Sequence, residues 1–141
     1  MITMEGASQR KCEARSAGAV IRKGNKILLI DRSFFPLGWA CPAGHVKKGE
    51  KPADGMRREI KEETGLAVVA PRLLISRKHI KNKCVKGSAF HDWWVFECRA
   101  RGKLKIAKRE GKDIGWFSPE EIKTLELEPI WRLWFRRLKI I

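Results

Sequence analysis

The stretch Gly44–Leu66, GHVKKGEKPADGMRREIKEETGL, decides the fold because it joins a glycine-punctuated loop to three glutamates at helical spacing. At about 100° per residue, Glu62 and Glu63 lie roughly 60° and 40° to either side of Glu59 around the helix axis. Like charges this close on an exposed helix repel one another. A divalent cation held by oxygen ligands would offset that repulsion. A solvated acidic helix face is the alternative that the spacing leaves open.

The same residues fit a known signature, G-x5-E-x7-R-E-U-x-E-E-x-G-U, in which U is an aliphatic residue. Its fixed positions are all filled in this chain, by Gly44, Glu50, Arg58, Glu59, Ile60, Glu62, Glu63, Gly65 and Leu66. The signature is the Nudix box, and the chain resembles the MutT-like members of the Nudix hydrolase family over residues 44–66. The resemblance implies an α/β fold, the Nudix-type α/β/α sandwich with a central mixed sheet. It also implies a Mg²⁺-dependent pyrophosphohydrolase, with Mn²⁺ as a substitute metal.

The resemblance further implies roles for individual residues of the box. In the family the two adjacent glutamates bind the metal, which corresponds to Glu62 and Glu63 in this chain. Glu59 is implied either as a metal ligand or as the general base, and both roles stay open. The carbonyl oxygen before the box glycine often joins the metal site in relatives, which points to Ala43. Glu50 is implied as a residue that lies close to the metal and supports the site.

Two more groups of the catalytic set follow from the resemblance. Arg58 would hold the glutamate cluster through charge-assisted hydrogen bonds. The segment 108–117, KREGKDIGWF, resembles the loop and strand that supply a later catalytic acid in MutT-like members. Glu110 is the first choice for that acid and Asp113 the second, with an ordinary surface-loop acid as the alternative for both.

The chain is strongly basic, and the excess charge lies outside the box. Its 31 Lys and Arg and 16 Asp and Glu leave a net charge of +15. The box contributes six basic and five acidic groups, so the remaining residues hold 25 against 11, a surplus of +14. Such a field attracts polyanions, and both nucleotide phosphates and RNA qualify as partners. A basic proteome in the source cell would give the same composition.

Length and composition indicate a single enzyme-sized domain. With 141 residues and 43% hydrophobic content, the chain can form a core over residues 15–141, after an N-terminal extension at 1–14 whose flexibility is left open. No apolar run reaches the 18 residues of a transmembrane helix, so no membrane partner is expected. The cysteines are far apart and form no CxxC pair, which favours reduced thiols in a cytoplasmic protein; they are Cys12, Cys41, Cys84 and Cys98.

Apolar patterning predicts alternating strands and helices. The box helix should begin near Pro52, bury Ala53, Met56 and Ile60, and end at Gly65. Pro71 predicts an edge or a bulge in the strand that follows, and residues 78–87 are expected to be a loop or hairpin end. The predicted strands are 16–22, 26–31, 66–76, 90–100, 104–107 and 114–117, followed by a short helix capped by Ser118 and a last helix from Pro129.

The substrate is specified more weakly than the chemistry. Tryptophans near the expected cleft could stack on a base, and the candidates are Trp39 and either Trp93 or Trp94. Alternation along a strand puts Trp93 and Trp94 on opposite faces, so at most one of them faces the site. Core packing is the alternative for each of the three.

Three functions remain open on the sequence alone. The favoured one is hydrolysis of a nucleoside diphosphate linked to another group. The first choice of substrate is a nucleoside triphosphate, cleaved to a nucleoside monophosphate and pyrophosphate. The second is removal of pyrophosphate from RNA 5′ ends, which the basic segments 72–86 and 99–112 favour. The third is a nucleotide- or RNA-binding domain without hydrolysis, against which the complete acid set argues. A homodimer is also left open.

Overall fold

The first two strands form a hairpin that begins the central sheet, β1 (Arg15–Lys23) and β2 (Lys26–Arg32). The structure is a computed structural model, and it describes residues 15–81, 90–105 and 111–141, without the side chains of 77–79 and 111–112. The predicted extension at 1–14 lies outside the described residues. The strands predicted at 16–22 and 26–31 are confirmed.

In the described residues, a mixed sheet of seven strands forms the middle layer. The other strands are β3 (Trp39–Ala40), β4 (Ala43–His45), β5 (Ala67–Lys81), β6 (Phe90–Arg101) and β7 (Gly111–Phe117). Their order is β3-β2-β1-β6-β5, with β4 paired to β1 and β7 paired to β2. β1 and β6 run parallel, and the other pairs are antiparallel. The sheet is therefore mixed, as the resemblance implied.

Helices cover both faces of this sheet. The long ones are α1 (Pro52–Thr64) and α3 (Pro129–Arg137), and a short helix, α2 (Pro119–Ile122), precedes α3. On one face, Met56 and Ile60 of α1 pack on a cluster that includes Ile21. On the other face, α3 packs on a cluster that includes Val20 and Val95. Since neighbouring residues of β1 belong to different clusters, the two layers follow from strand alternation. The predicted α/β/α sandwich is confirmed.

The box helix has the predicted bounds. It begins at Pro52 and is followed by Gly65 in the left-handed conformation, with a φ of 77°. The Gly65 amide donates to the carbonyl of Lys61, which closes the helix in the usual glycine-stop geometry. Met56 and Ile60 have no solvent exposure, as predicted, whereas Ala53 is only partly buried against the same cluster.

Two of the strand predictions need correction. β5 continues to Lys81, through residues that were predicted to begin a loop, because Ile80 and Lys81 pair with the start of β6. Inter-strand hydrogen bonds satisfy the backbone there despite the polar side chains. Leu104 and Lys105 lie outside any strand, and the remainder of the predicted strand 104–107 falls outside the described residues.

Other local predictions are confirmed. The pairing of β5 with β6 shifts register between Val69 and Arg72, so Pro71 lies in a bulge. Ser118 caps α2 through a complete capping box with Glu121. Within the part of the chain that the structure describes, no helix is long and apolar enough to cross a membrane.

Candidate active site

The loop before α1 lies directly against the glutamates of the helix. Strand β4 holds this loop because Ala43 and His45 pair with Gly18 and Ser16 of β1. A Cβ added to Gly44 would lie 2.0 Å from Cδ of Glu59, far inside any allowed contact. The glycine is therefore required because the loop backbone and the Glu59 carboxylate occupy adjoining space.

Arg58 ties the start of the box to its helix. Its Nε donates to Oε2 of Glu50 at 2.9 Å, and its Nη2 donates to Oε1 of the same carboxylate at 3.0 Å. The same Nη2 also donates to the carbonyl of His45 at 3.0 Å. The Lys47 amide donates to Oε1 of Glu50 at 2.9 Å, so both oxygens of that carboxylate accept hydrogen bonds. The Arg58 bonds, followed by the Lys47 amide, lower the pKa of Glu50 to about 2.

The remaining guanidinium nitrogen of Arg58 faces the three box glutamates Glu59, Glu62 and Glu63, which we call the glutamate arc. Nη1 lies 3.0 Å from Oε1 of Glu59 and 3.4 Å from Oε1 of Glu62. These partners, with Glu50 as the largest contributor, raise the pKa of Arg58 above its ordinary value. One partly buried cation therefore contacts three carboxylates at once, which supports the predicted structural role of Arg58.

The three glutamates of the arc differ in exposure. Glu63 is buried, with 5% exposure, and its Oε1 accepts a hydrogen bond from the Ala43 amide at 3.0 Å. The Glu59 side chain is 17% exposed and that of Glu62 is 54% exposed. The arc thus runs from a buried carboxylate against the loop to an open one at the surface, which is the shape of a site that solvent and a phosphate chain can reach.

The oxygen donors of this site suit a hard divalent cation that keeps some of its water ligands, and they do not form a closed all-protein metal site. In residues 15–81, 90–105 and 111–141, no group of three Asp, Glu, His or Cys side chains surrounds a common point. Magnesium needs only one or two carboxylates because it keeps several of its waters. A buried carboxylate such as Glu63 also needs compensation for its charge, and an adjacent cation supplies it. Glu59, Glu62, Glu63 and the Ala43 carbonyl are the groups that would hold the ion.

The predicted later acid is placed only in part. Glu110 lies outside the described residues. Asp113 lies on β7 opposite Asp31 of β2, and its Oδ1 accepts a hydrogen bond from the Ile114 amide at 2.8 Å. Both choices stay predictions.

The tryptophan candidates lie in different environments. Trp93 is 4% exposed and lies under α3, with its ring centroid 5.9 Å from those of Trp131 and Trp134. Stacking a base on Trp93 would require α3 to move, so its placement favours core packing. Trp94 belongs to the opposite, α1-facing cluster, which confirms the predicted alternation. Trp39 is partly exposed and makes an edge contact with a phenylalanine at 5.0 Å.

Sequence reasoning missed two contacts beside the box loop. Arg15 donates to the Lys47 carbonyl at 2.5 Å and so ties β1 to the loop. The rings of His45 and His91 stack at 5.6 Å, with 12° between their planes. Neither contact has a local sequence signal, because each joins residues that are more than 30 positions apart.

A buried carboxyl group outside the box was also missed. Glu128, just before α3, is 5% exposed, and Nε of Arg32 lies 3.9 Å from its Oε1. Desolvation raises the pKa of Glu128 to about 7, against the opposing effect of Arg32.

Comparison with known proteins places these features in a family. The NUDIX domain model matches residues 13–138. Nucleoside triphosphatase NudI of Enterobacter sp. (strain 638) is 31% identical over a 111-residue alignment, which covers 74% of this chain and 79% of that protein. The crystal structure of a MutT NUDIX hydrolase from Burkholderia pseudomallei is 26% identical, with a TM-score of 0.69 over 85% of this chain and 93% of that one.

A more distant likeness extends over almost the whole chain. The NUDIX domain of Shewanella oneidensis NrtR, solved in complex with ADP ribose, has a TM-score of 0.72 and covers 99% of this chain and 97% of its own. At 16% identity it shows the shared fold alone. From the complete box, the fold and these matches, the chain belongs to the Nudix hydrolase family.

Proposed function

We propose that the chain is a Mg²⁺-dependent pyrophosphohydrolase that converts a nucleoside triphosphate and water to a nucleoside monophosphate and pyrophosphate. The observation that carries the proposal is the glutamate arc, in which Arg58 fixes Glu59 and Glu62 and the loop backbone fixes Glu63. A relative named nucleoside triphosphatase supports this choice of substrate class. An arc fixed in this way is organised before substrate arrives, which is what electrostatic catalysis requires.

Each glutamate of the arc has a distinct part in the proposal. When bound, Mg²⁺ would neutralise phosphate oxygens and activate a water molecule. Glu62 is the most exposed of the three and would meet the metal on the side where substrate enters. Glu63, held by the Ala43 amide, would supply a carboxylate oxygen from the buried side. Glu59 would complete the set as a ligand or as the base that accepts a proton from water.

Glu50 and Arg58 would act through the arc as positioning residues. Both carboxylate oxygens of Glu50 accept hydrogen bonds from Arg58, and one accepts a further bond from the Lys47 amide. These bonds orient the guanidinium group, which in turn holds Glu59 and Glu62. We therefore propose that Glu50 supports the metal site indirectly.

Product analysis tests the proposal. Purified chain with Mg²⁺ would be given a panel of nucleoside triphosphates, ADP-ribose, dinucleotides and 5′-triphosphate RNA, and products would be separated by ion-exchange chromatography. We expect equal amounts of nucleoside monophosphate and pyrophosphate from at least one triphosphate, and none in excess EDTA. Release of orthophosphate with a nucleoside diphosphate would contradict the proposed bond cleavage. If the chain hydrolysed only another member of the panel, the proposed substrate would be wrong and the proposed catalytic site would stand.

A further inference from the structure

A cavity of about 870 Å³ lies at the opposite end of β1 from the glutamate arc. Its wall includes Arg22 and Gly24, at the β1–β2 turn, and Arg72 and Glu97, where β5 and β6 pair. The box loop pairs with β1 at Gly18, four residues before Arg22, which is about 13 Å along the strand. The cavity is therefore separate from the site proposed for hydrolysis.

The cavity is lined by more positive than negative charge. Its cationic residues are Arg22, Lys23, Arg72 and Arg99, and Glu97 is the single acid among the described residues of the wall. Four cations and one anion leave a formal charge of +3. The residues of an acidic peptide or a phosphate chain would meet an excess of positive charge here.

One salt-bridge network fixes two of the cations. Arg22 Nε lies 2.5 Å from Oε2 of Glu97, and Arg72 Nη2 lies 2.7 Å from Oε1 of the same carboxylate. The Arg72 bond, followed by that of Arg22, lowers the pKa of Glu97, so the acid stays ionised at neutral pH. Among the described residues, Glu97 accepts one hydrogen bond from each guanidinium group. Each group keeps further N–H donors that a ligand can use.

An aromatic ring completes the wall on the far side. Trp116 of β7 lines the cavity and is partly exposed, and the ammonium group of Lys23 lies 5.5 Å from its ring centroid. Lys23 is exposed, so its ammonium group can leave the face of the Trp116 indole and contact a phosphate when a base of the ligand stacks on that indole. A ligand with both anionic groups and aromatic rings matches this combination.

The cations and the indole reach the cavity from different strands. By the pairing register, Glu97 and Arg72 lie on the side of the sheet that α3 covers, whereas Trp116 belongs to the α1-facing cluster. A ligand that contacts both must therefore pass the β1–β2 turn, where Gly24 lines the cavity. An extended, flexible ligand can do so more readily than a single nucleotide.

We propose that this cavity binds single-stranded nucleic acid, with backbone phosphates on the arginines and a base stacked on Trp116. Proteins that bind single strands without sequence preference combine a cationic groove with an aromatic stacking surface. An acidic peptide would use the cations and leave the indole unused. RNA and single-stranded DNA share the required chemistry. The binding is independent of the hydrolysis proposed above.

The test is fluorescence anisotropy with a labelled eight-nucleotide strand that carries a 5′-hydroxyl group, in EDTA, so that neither turnover nor metal contributes. We expect Arg72→Gln and Trp116→Leu each to weaken binding, the latter by about tenfold or more because a stacked base is lost. For Arg72→Gln the slope of log affinity against log salt should fall in magnitude by about 0.7, one phosphate contact. The Arg72 side chain is 71% exposed, so its loss leaves the fold intact.

Arg136→Gln is the matched control, because it removes the same charge from an exposed position on α3. It should change affinity by less than about twofold, and Glu62→Gln, in the arc, should leave strand binding unchanged. Equal weakening by Arg72→Gln and Arg136→Gln would overturn the proposal, since attraction would then come from net charge alone. A mononucleotide that competes as well as the eight-nucleotide strand would also overturn it.

Two further experiments compare RNA with single-stranded DNA as the ligand and separate strand binding from the proposed hydrolysis. Oligouridylate and oligothymidylate compared at one salt concentration show whether RNA is preferred, and binding of either supports the cavity as a single-strand site. Triphosphate hydrolysis by Trp116→Leu and Arg72→Gln should equal that of the unmodified chain. Strand binding with the expected variant pattern in a chain that hydrolyses no nucleotide would support the cavity and reject the proposed hydrolysis.

Discussion

Glu128→Gln should stabilise the protein at neutral and alkaline pH. Burial raises the pKa of Glu128 from its ordinary value of 4.5 to about 7, so folding favours the protonated form. Glu128 therefore contributes most to the free energy of unfolding below about pH 4.5, where it is protonated in both the folded and the unfolded chain. This contribution falls as the pH rises toward 7 and is lost above that. The difference of about 2.5 units corresponds to about 3 kcal/mol at most. Glutamine keeps the shape of the neutral acid and cannot ionise.

The assay is thermal unfolding between pH 5 and 8, followed by circular dichroism. For 141 residues, about 3 kcal/mol corresponds to a shift of ~10 °C in the unfolding midpoint. We expect the gap between Glu128→Gln and the unmodified chain to widen toward pH 8 and to be small at pH 5. Glu126→Gln, two residues away and exposed, is the control and should show no widening. If the unfolding midpoints of Glu128→Gln and the unmodified chain changed in parallel with pH, the reasoning would be refuted. Glu128 would then have the same pKa in the folded and the unfolded chain.

Three further substitutions test the box and a helix cap. Gly44→Ala should lower kcat/KM by about 100-fold with little change in thermal stability, because the new Cβ displaces the Glu59 side chain and not the backbone; an active variant would contradict this. Arg58→Lys should destabilise by about 2 kcal/mol in urea unfolding, since lysine cannot make the paired bonds to Glu50; unchanged stability would count against that network. Ser118→Ala should cost about 1 kcal/mol in the same assay through loss of the capping box, whereas Ser118→Thr should retain most of it.

The box helix was predictable because its signals are local. Pro52 at the first turn, Gly65 after the last, and an apolar stripe between them are readable within one segment. The strands of the first hairpin and the bulge at Pro71 were predictable for the same reason. That Trp93 and Trp94 lie on opposite faces of the sheet followed from alternation alone.

Features that depend on long-range contacts could not be read from the sequence. The burial of Glu128 depends on the packing of β3 and α3, and the extension of β5 to Lys81 depends on its pairing with β6. Similarly, the family resemblance implied a structural role for Arg58 without showing that both oxygens of Glu50 would accept its hydrogen bonds. The individual roles proposed for the glutamates remain predictions, since they concern a bound metal and substrate.

The most direct test of the central claim compares Glu62→Gln with Glu120→Gln in nucleoside triphosphate hydrolysis. Glu62 is 54% exposed and Glu120 is 84% exposed, so neither substitution disturbs the core, and each removes one negative charge. Pyrophosphate release would be measured over a range of Mg²⁺ concentrations. We predict that Glu62→Gln loses about 100-fold or more in kcat/KM and needs more Mg²⁺, with Glu120→Gln unchanged. Equal activity and equal Mg²⁺ dependence of the two variants would contradict the assignment of the glutamate arc as the catalytic metal site.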